Sequence, residues 1–296
     1  MSNNYTGRQI AIFTDVHGLL YPLIAVLEDI KKRGIKEIYS LGDNIGVGPN
    51  PREVLNLLFK NEVNLINGNN EEYSIIGIDP FFSYFDEMKI RSQLWTLSQI
   101  TDKQLNRLRE NKHSYDLTIG GKKIGLCHFC NDVRFDFIKH NIWKYFDAIH
   151  DGKKNPQRQF YYTNSAYQIK LIERKAESKL PQDRGYRSAK KEPLFGGKKI
   201  DYYDEIIQGH AHFKLNTHDS KVKIRTLRAM AMGFENSVLD RAYYIIIKER
   251  ENGYDVDEIL VPYDRKAMLE SIDKSDMPDK SIVNKYTSRK LDKLKV

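Results

Sequence analysis

Cysteine is scarce in this chain. Only Cys127 and Cys130 occur, which excludes a disulfide-stapled scaffold. They flank His128 as Cys-His-Phe-Cys, without the second pair of ligands that a zinc knuckle requires. Two reduced thiols beside a buried strand end is the simpler reading, and a redox pair is the alternative. Long apolar runs are missing too. None approaches the about 20 residues of a membrane-spanning helix, and the opening residues Met1 to Thr6 lack the basic-then-apolar pattern of a secretory leader. The expectation is a cytoplasmic protein with no membrane partner. The chain has no phosphate-cradling loop of the Gly-x4-Gly-Lys-Ser/Thr type, no Ser-His-Asp order that would suit a nucleophilic triad, no internal repeat and no low-complexity segment.

What is present is ordinary for a globular protein with a substantial core. At 296 residues and 40% hydrophobic, the chain has room for one large α/β domain or two smaller ones. The formal net charge is +8, and it is concentrated. Residues 151–200 hold nine Lys and four Arg against five acidic residues, so this stretch accounts for all of the +8. Tyr161, Tyr162, Tyr167 and Tyr186 are interleaved with those cations. Charge with stacking is a combination that attracts a nucleotide or nucleic acid; a solvated insertion is the competing reading.

The apolar pattern gives an alternating order. Gln9–Thr14 reads as a buried strand ending at Asp15. Leu23, Ile24, Leu27 and Ile30 recur at helical spacing, with Gly34 as a left-handed stop. Glu37–Leu41 is a second strand. Pro51 suits the first turn of a helix that turns Val54, Leu55 and Leu58 to one face. Val63–Ile66 is a third strand. This order predicts parallel pairing with right-handed crossovers. Residues 72–112 read as mostly helical, with Thr101 to Gln104 as a capping box. Asp116–Ile119 and Lys122–Leu126 form a predicted hairpin, as do Arg241–Lys248 and Tyr254–Val261. Glu205–Gln208 is a short strand. Residues 270–296 lose apolar periodicity and read as a helical or disordered tail, and the basic stretch from Lys266 reads as a solvated surface element.

Chemistry-bearing side chains stand just past these strands. Asp15-Val16-His17, Gly42-Asp43-Asn44, Gly68-Asn69-Asn70-Glu71, His128 and Gly209-His210-Ala211-His212 follow apolar runs in turn. In open α/β sheets, ligands gather beyond the carboxyl ends of strands. Mixed imidazole, carboxylate and amide donors suit manganese, iron, zinc, cobalt or nickel better than calcium or magnesium. Asp15 and His17 are two apart, as are His210 and His212, so each pair can turn toward one point at a strand end. A carboxylate such as Asp43 can bridge two ions. Two ions about 3.5–4 Å apart are the usual apparatus of phosphoester hydrolysis. Taken singly, each group has a plainer use: Asp15 and His17 as helix caps, Asp43 and Asn69 as turn residues, His128 as a core histidine.

All five pieces in this order resemble the calcineurin-like metallophosphoesterases. The resemblance runs from about Ile10 to Tyr263. The stretch from Gly42 to Pro51, and Val261 to Arg265, look like the subgroup of small bacterial and archaeal phosphodiesterases and diadenosine-tetraphosphatase-like proteins. It implies an α/β fold, a two-sheet α/β sandwich with flanking helices and the site at one edge. It implies that Asp15, His17 and His212 bind a first metal, that Asn69, His128 and His210 bind a second, and that Asp43 bridges both.

The reaction so implied is hydrolysis of a phosphodiester or dinucleoside polyphosphate by a metal-bridging hydroxide. Manganese is the first choice of ion, with iron, zinc, cobalt or nickel as alternatives. Asp43, Asn70 and His210 are the expected catalytic residues. Asn69, Asn70 and Arg228 are the expected phosphate contacts, and Arg134 is a further candidate. Many members carry His where this chain has Asn70, and an amide cannot protonate a leaving group. Leu19 stands where Asn is common, and Ala229–Gly233 only faintly echo the small-residue stretch after the last His pair. His113, His140, His150 and His218 match no motif position. A phosphomonoesterase or protein phosphatase, or a low-turnover nucleotide- or RNA-binding regulator, are the alternatives. The expected layout is a domain over 1–265, with 151–200 as a basic insertion or cap, followed by a tail over 266–296.

Overall fold

In the computed structural model the chain is described over residues 5–76, 87–129, 198, 200–212, 215–219, 222–232 and 240–287. Strand β1 (Tyr5–Phe13) is the middle of the first sheet. It pairs parallel with β2 (Glu37–Ser40), which pairs parallel with β3 (Asn64–Leu65). Helices α1 (Leu20–Lys32) and α2 (Pro51–Lys60) make the crossovers. Pro51 sits at the first helical position of α2, where its missing N–H costs nothing. Gly34 takes φ +72° just past the end of α1. The third strand is shorter than the sequence predicts. Ile66 leaves the ladder for an isolated bridge to Lys112.

After α3 (Asn69–Ile76), α4 (Glu87–Gln99) and α5 (Asp102–Arg109), the chain enters a second sheet. The predicted capping box opens α5: Thr101 Oγ1 accepts from Gln104 N, and the Gln104 side chain accepts from Thr101 N. The hairpin of β4 (Ser114–Ile119) and β5 (Lys122–Cys127) leads to β6 (Glu205–Gln208), parallel to β5. A hairpin of β7 (Leu215–Asp219) and β8 (Val222–Thr226) lies beyond it, with β8 parallel to β6. The sequence reading did not anticipate this hairpin, because two five-residue strands carry too few alternations to stand out. The chain then returns to the first sheet as β9 (Arg241–Arg250), antiparallel to β1, and β10 (Tyr254–Pro262). The sheet orders are β10-β9-β1-β2-β3 and β4-β5-β6-β8-β7.

The period-two alternation of two central strands explains the layers. Ala11 and Phe13 of β1, with Ala242, Tyr244 and Ile246 of β9, pack against Leu23, Val26 and Ile30 of α1 and Val54 and Leu58 of α2. Ile10 and Ile12, with Tyr243, Ile245 and Ile247, pack against Ile124, Leu126 and Ile207 of the second sheet. Val26, not Ile24, completes the buried stripe of α1. The molecule is an α/β sandwich of two mixed sheets with helices flanking them.

The C-terminal stretch takes the helical form of the two expected, and it is packed rather than solvated. Helices α6 (Arg265–Lys274) and α7 (Ser281–Tyr286) follow β10. Asp264 caps α6 by accepting from Ala267 N at 2.9 Å. Met268, Ile272, Met277 and Val283 are buried with Leu19, Ala229 and Met232. Four apolar anchors, each worth about 1.5–3 kcal/mol when fully buried, carry the folded body past 265, through Thr287. They are spaced too irregularly to read as an amphipathic helix.

Candidate metal centre

The parallel strands deliver the candidate ligands. β1, β2 and β3 run the same way, and their carboxyl ends lead to Asp15, Asp43 and Asn69. β5 and β6 lead to His128 and His210. Beyond the ladders the loops stay zipped. Asp15 N donates to Gly42 O at 3.0 Å, His17 N to Asp43 O at 2.8 Å, and Gly209 N to His128 O at 2.9 Å. Asp15, His17, Asp43, His210 and His212 all have positive φ, between 50° and 69°. A left-handed turn is uncommon for a residue with a Cβ and costs of order 1–3 kcal/mol. Here it aims both members of Asp15/His17 and of His210/His212 at one place. Neither Asp15 nor His17 caps α1, whose N-cap is Leu19, with no side-chain cap hydrogen bond.

Asp15, His17 and His212 form one set. Asp15 is fully buried. Its Oδ2 accepts from Thr14 Oγ1 at 2.7 Å and from His210 N at 3.0 Å. Its Oδ1 is buried with no hydrogen-bond partner, and faces His212 Nε2 at 3.3 Å and His17 Nε2 at 3.6 Å. Burial by itself would raise the Asp15 pKa. The His17 and His212 imidazoles outweigh it and hold the carboxyl well below the usual range. The His17 and His212 Nε2 atoms are 2.8 Å apart, so two ring nitrogens and one carboxylate oxygen point at a common centre.

Asp43, His128 and His210 form the other set, with Asn69. His128 Nδ1 donates to Leu41 O at 2.9 Å. That bond fixes the tautomer and leaves the Nε2 lone pair for a metal. His128 Nε2 is 3.1 Å from both Asn69 Oδ1 and His210 Nδ1. Asn69 Oδ1 lies 3.0 Å from His210 Nδ1. His210 is exposed at its outer edge, but desolvation of its ring and the neighbouring His128 push its pKa down to about 4. Asp43 Oδ2 is 3.6 Å from His128 Nε2 and 3.8 Å from His17 Nε2. All seven expected ligands are therefore brought together, with Asp43 between the two sets. Buried carboxylate oxygens, converging imidazole nitrogens and one amide oxygen fit divalent transition metals.

Two supporting groups were not assigned from the sequence. Glu71 is fully buried and accepts from four backbone N–H groups: Asp43 at 2.9 Å, Asn44 at 2.7 Å, Ile45 at 3.3 Å and Gly68 at 2.7 Å. It pins the loop after β2 to the loop after β3. Burial, and then the charge of Asp43, push its pKa up to about 7. Gly68 permits the close approach: a Cβ there would sit 2.3 Å from Asp43 Oδ1. Gln93 of α4 is the second group. Its only sequence signal is a polar residue on a helix, which says nothing about what it touches.

Asn70, an expected phosphate contact, lies beside the two ligand sets. Its side chain is buried, and its amide faces Asp43 on one side and Gln93 on the other. Arg228 lies over the Tyr243 ring at 5.8 Å from the centroid. His113 lies 3.6 Å from Glu72, and His218 lies on β7. Arg134, Cys130, His140, His150 and the 151–200 stretch, apart from Lys198 and Ile200, lie outside the described residues. Cys127 is buried and forms no disulfide among the described residues.

The two-sheet sandwich is shared with solved structures. The chain resembles the crystal structure of a metallophosphoesterase from Sphaerobacter thermophilus, with a TM-score of 0.54 and 18% identity over 93% of this chain and 97% of that one. It also resembles a hypothetical protein from Pyrococcus horikoshii, with a TM-score of 0.60 and 17% identity over 94% of this chain and 97% of that one. In sequence, an uncharacterised protein of Methanocaldococcus jannaschii is 26% identical over 285 residues, which is 91% of this chain and 94% of the relative. No family model matches the chain. Among the described residues, no helix is long and apolar enough to cross a membrane.

Proposed function

We propose that this chain is a phosphoric ester hydrolase of the calcineurin-like kind, using two divalent transition-metal ions on a phosphodiester or dinucleoside polyphosphate. The observation that carries this reading is Asp43, whose Oδ2 stands within 3.8 Å of both His17 and His128. One carboxylate thus serves two ligand sets. Asp15, His17 and His212 would hold one ion, and Asn69, His128 and His210 the other, with Asp43 shared. Such a pair, when bound, acidifies water and offsets charge on the phosphoryl oxygens; manganese is our first choice.

The chain's own residues supply preorganisation. Leu41 O orients His128, Thr14 and the His210 N–H orient Asp15, and Glu71 holds both loops. These groups are set before substrate arrives, so little reorganisation accompanies the reaction. Asn70 is neutral and has no proton to give a departing oxygen. A leaving group that is stable as an anion, such as a nucleotide phosphate, suits this site better than the alkoxide of a simple monoester. Cytoplasmic residence, and a basic 151–200 insertion that draws in a nucleotide or nucleic acid, are part of the same proposal.

Asn70 also favours a second reading, a nucleotide- or RNA-binding regulator that keeps its metals but turns over little. A manganese-supplemented panel separates the two, using bis-nitrophenyl and mono-nitrophenyl phosphate, diadenosine polyphosphates, cyclic nucleotides and short RNA. The expected result is hydrolysis of diesters or polyphosphates in preference to monoesters, abolished by Asp43→Asn. Binding without turnover across the panel would leave the regulator. A clear monoester preference would overturn the substrate class.

A further inference from the structure

The Asn70 amide touches Asp43 twice over. Its backbone N–H donates to Asp43 Oδ1 at 2.8 Å, and its side-chain Nδ2 donates to Asp43 Oδ2 at 2.7 Å. The carboxylate can only accept, so the orientation of the Asn70 amide is determined: NH2 toward Asp43 and Oδ1 away from it. That Oδ1 then accepts from Gln93 Nε2 at 2.6 Å. The order Gln93 to Asn70 to Asp43 has one consistent direction, with each amide donating toward the carboxylate. Asn70 and Gln93 are both buried. Gly46 leaves room for the middle member: at φ +79°, a Cβ on it would lie 2.4 Å from Asn70 Oδ1. The loop after β2 is therefore shaped around this amide, independently of the hydrogen bonds.

We propose that Gln93 and Asn70 are positioning residues that act in series to fix the Asp43 carboxylate for the metal centre. This rests on the proposed two-metal reading and deepens it. Asp43 lies among imidazoles, with His128 Nε2 at 3.6 Å and His17 Nε2 at 3.8 Å from its Oδ2. Two donors from Asn70 hold its plane, and Gln93 holds Asn70. The amide pair does this with no titrating proton of its own.

The test uses the full chain stripped by a chelator, with manganese affinity read by competition against a metal indicator. Gln93→Met keeps the length and removes the donor. It is expected to weaken manganese binding about 10–100-fold while the metal-free melting temperature stays near that of the wild type. Asn70→Ala is expected to weaken binding at least as much, and adding Gln93→Met to it is expected to change nothing more, because the two act through one path. Gln93→Glu, also of equal length, replaces the donor with an acceptor and serves if Gln93→Met does not fold. Wild-type affinity in both Gln93 variants, or independent and additive losses in the double variant, would overturn the relay. Wild-type protein that binds manganese but hydrolyses nothing would sink the proposed function and leave the relay judged on affinity alone. Wild-type protein that binds no manganese would sink both.

Discussion

Asp43 is held from every side: Gly68 leaves space for it, Asn70 donates to both its oxygens, and Glu71 accepts from its backbone N–H. Such crowding makes small changes costly. Gly68→Ala would drive a methyl group to 2.4 Å from Asp43 N, and is expected to lower manganese affinity about 10-fold or more, measured by titration calorimetry. Glu71→Ala would leave four buried backbone donors without their acceptor. Each orphaned donor costs of order 1–3 kcal/mol before water enters, so the variant is expected to lose about 3 kcal/mol or more in urea unfolding. A loss under about 1 kcal/mol would mean that Glu71 does not pin these loops.

Among the elements, α6 and the strands flanking β1 invite direct measurement. Met268 is fully buried against the core cluster that includes Leu19 and Met232. Met268→Ala is expected to cost about 2–5 kcal/mol in denaturant unfolding, whereas a solvated tail residue would cost almost nothing. Away from the metal centre, Arg8 of β1 donates to Glu37 of β2 through Nε and Nη2, both at 2.9 Å, and through Nη1 to Thr118 O of β4 at 2.9 Å. One guanidinium thereby ties the two sheets together. The Arg8 hydrogen bond holds the Glu37 pKa below its ordinary value. With the folded pKa depressed, the stabilisation is present above the unfolded value and is lost as pH falls through the folded one. Because both partners are partly exposed, the pair is worth no more than about 0.2–1 kcal/mol. Glu37→Gln is expected to lower the urea midpoint slightly at pH 7 and to leave it matching wild type at pH 3. An undiminished difference at pH 3 would show that charge is not what Glu37 contributes.

Across the whole molecule, the candidate metal centre straddles the sandwich. Asp15, His17, Asp43 and Asn69 follow strands of the first sheet, and His128, His210 and His212 follow strands of the second. Ions bound there would join the sheets at one end, as Arg8 does elsewhere. Ligands that bind only the folded state stabilise it by mass action, about 2.7 kcal/mol per site at one hundred times the dissociation constant. Manganese is therefore expected to raise the melting temperature by several degrees, and a chelator to reverse it. Asp15→Asn should blunt that gain. A melting temperature indifferent to manganese and chelator would argue against any metal shared between the sheets.

Read by itself, the sequence determined the strand-and-helix order of the first sheet, the two long hairpins and the seven side chains that converge. Those features are carried by apolar period, turn residues and the placement of polar groups just past apolar runs, all of which are local. Only the tertiary structure decided what Asn70 touches, because its partners Asp43 and Gln93 come from 27 and 23 residues away. It likewise revealed Glu71 as a clasp between loops, Met268 and Val283 as core, and β7–β8 as a hairpin beside β6. Burial and hydrogen-bond partnership depend on which distant segments arrive at the same place. Short or irregularly spaced segments carry too little pattern to announce that arrival in advance.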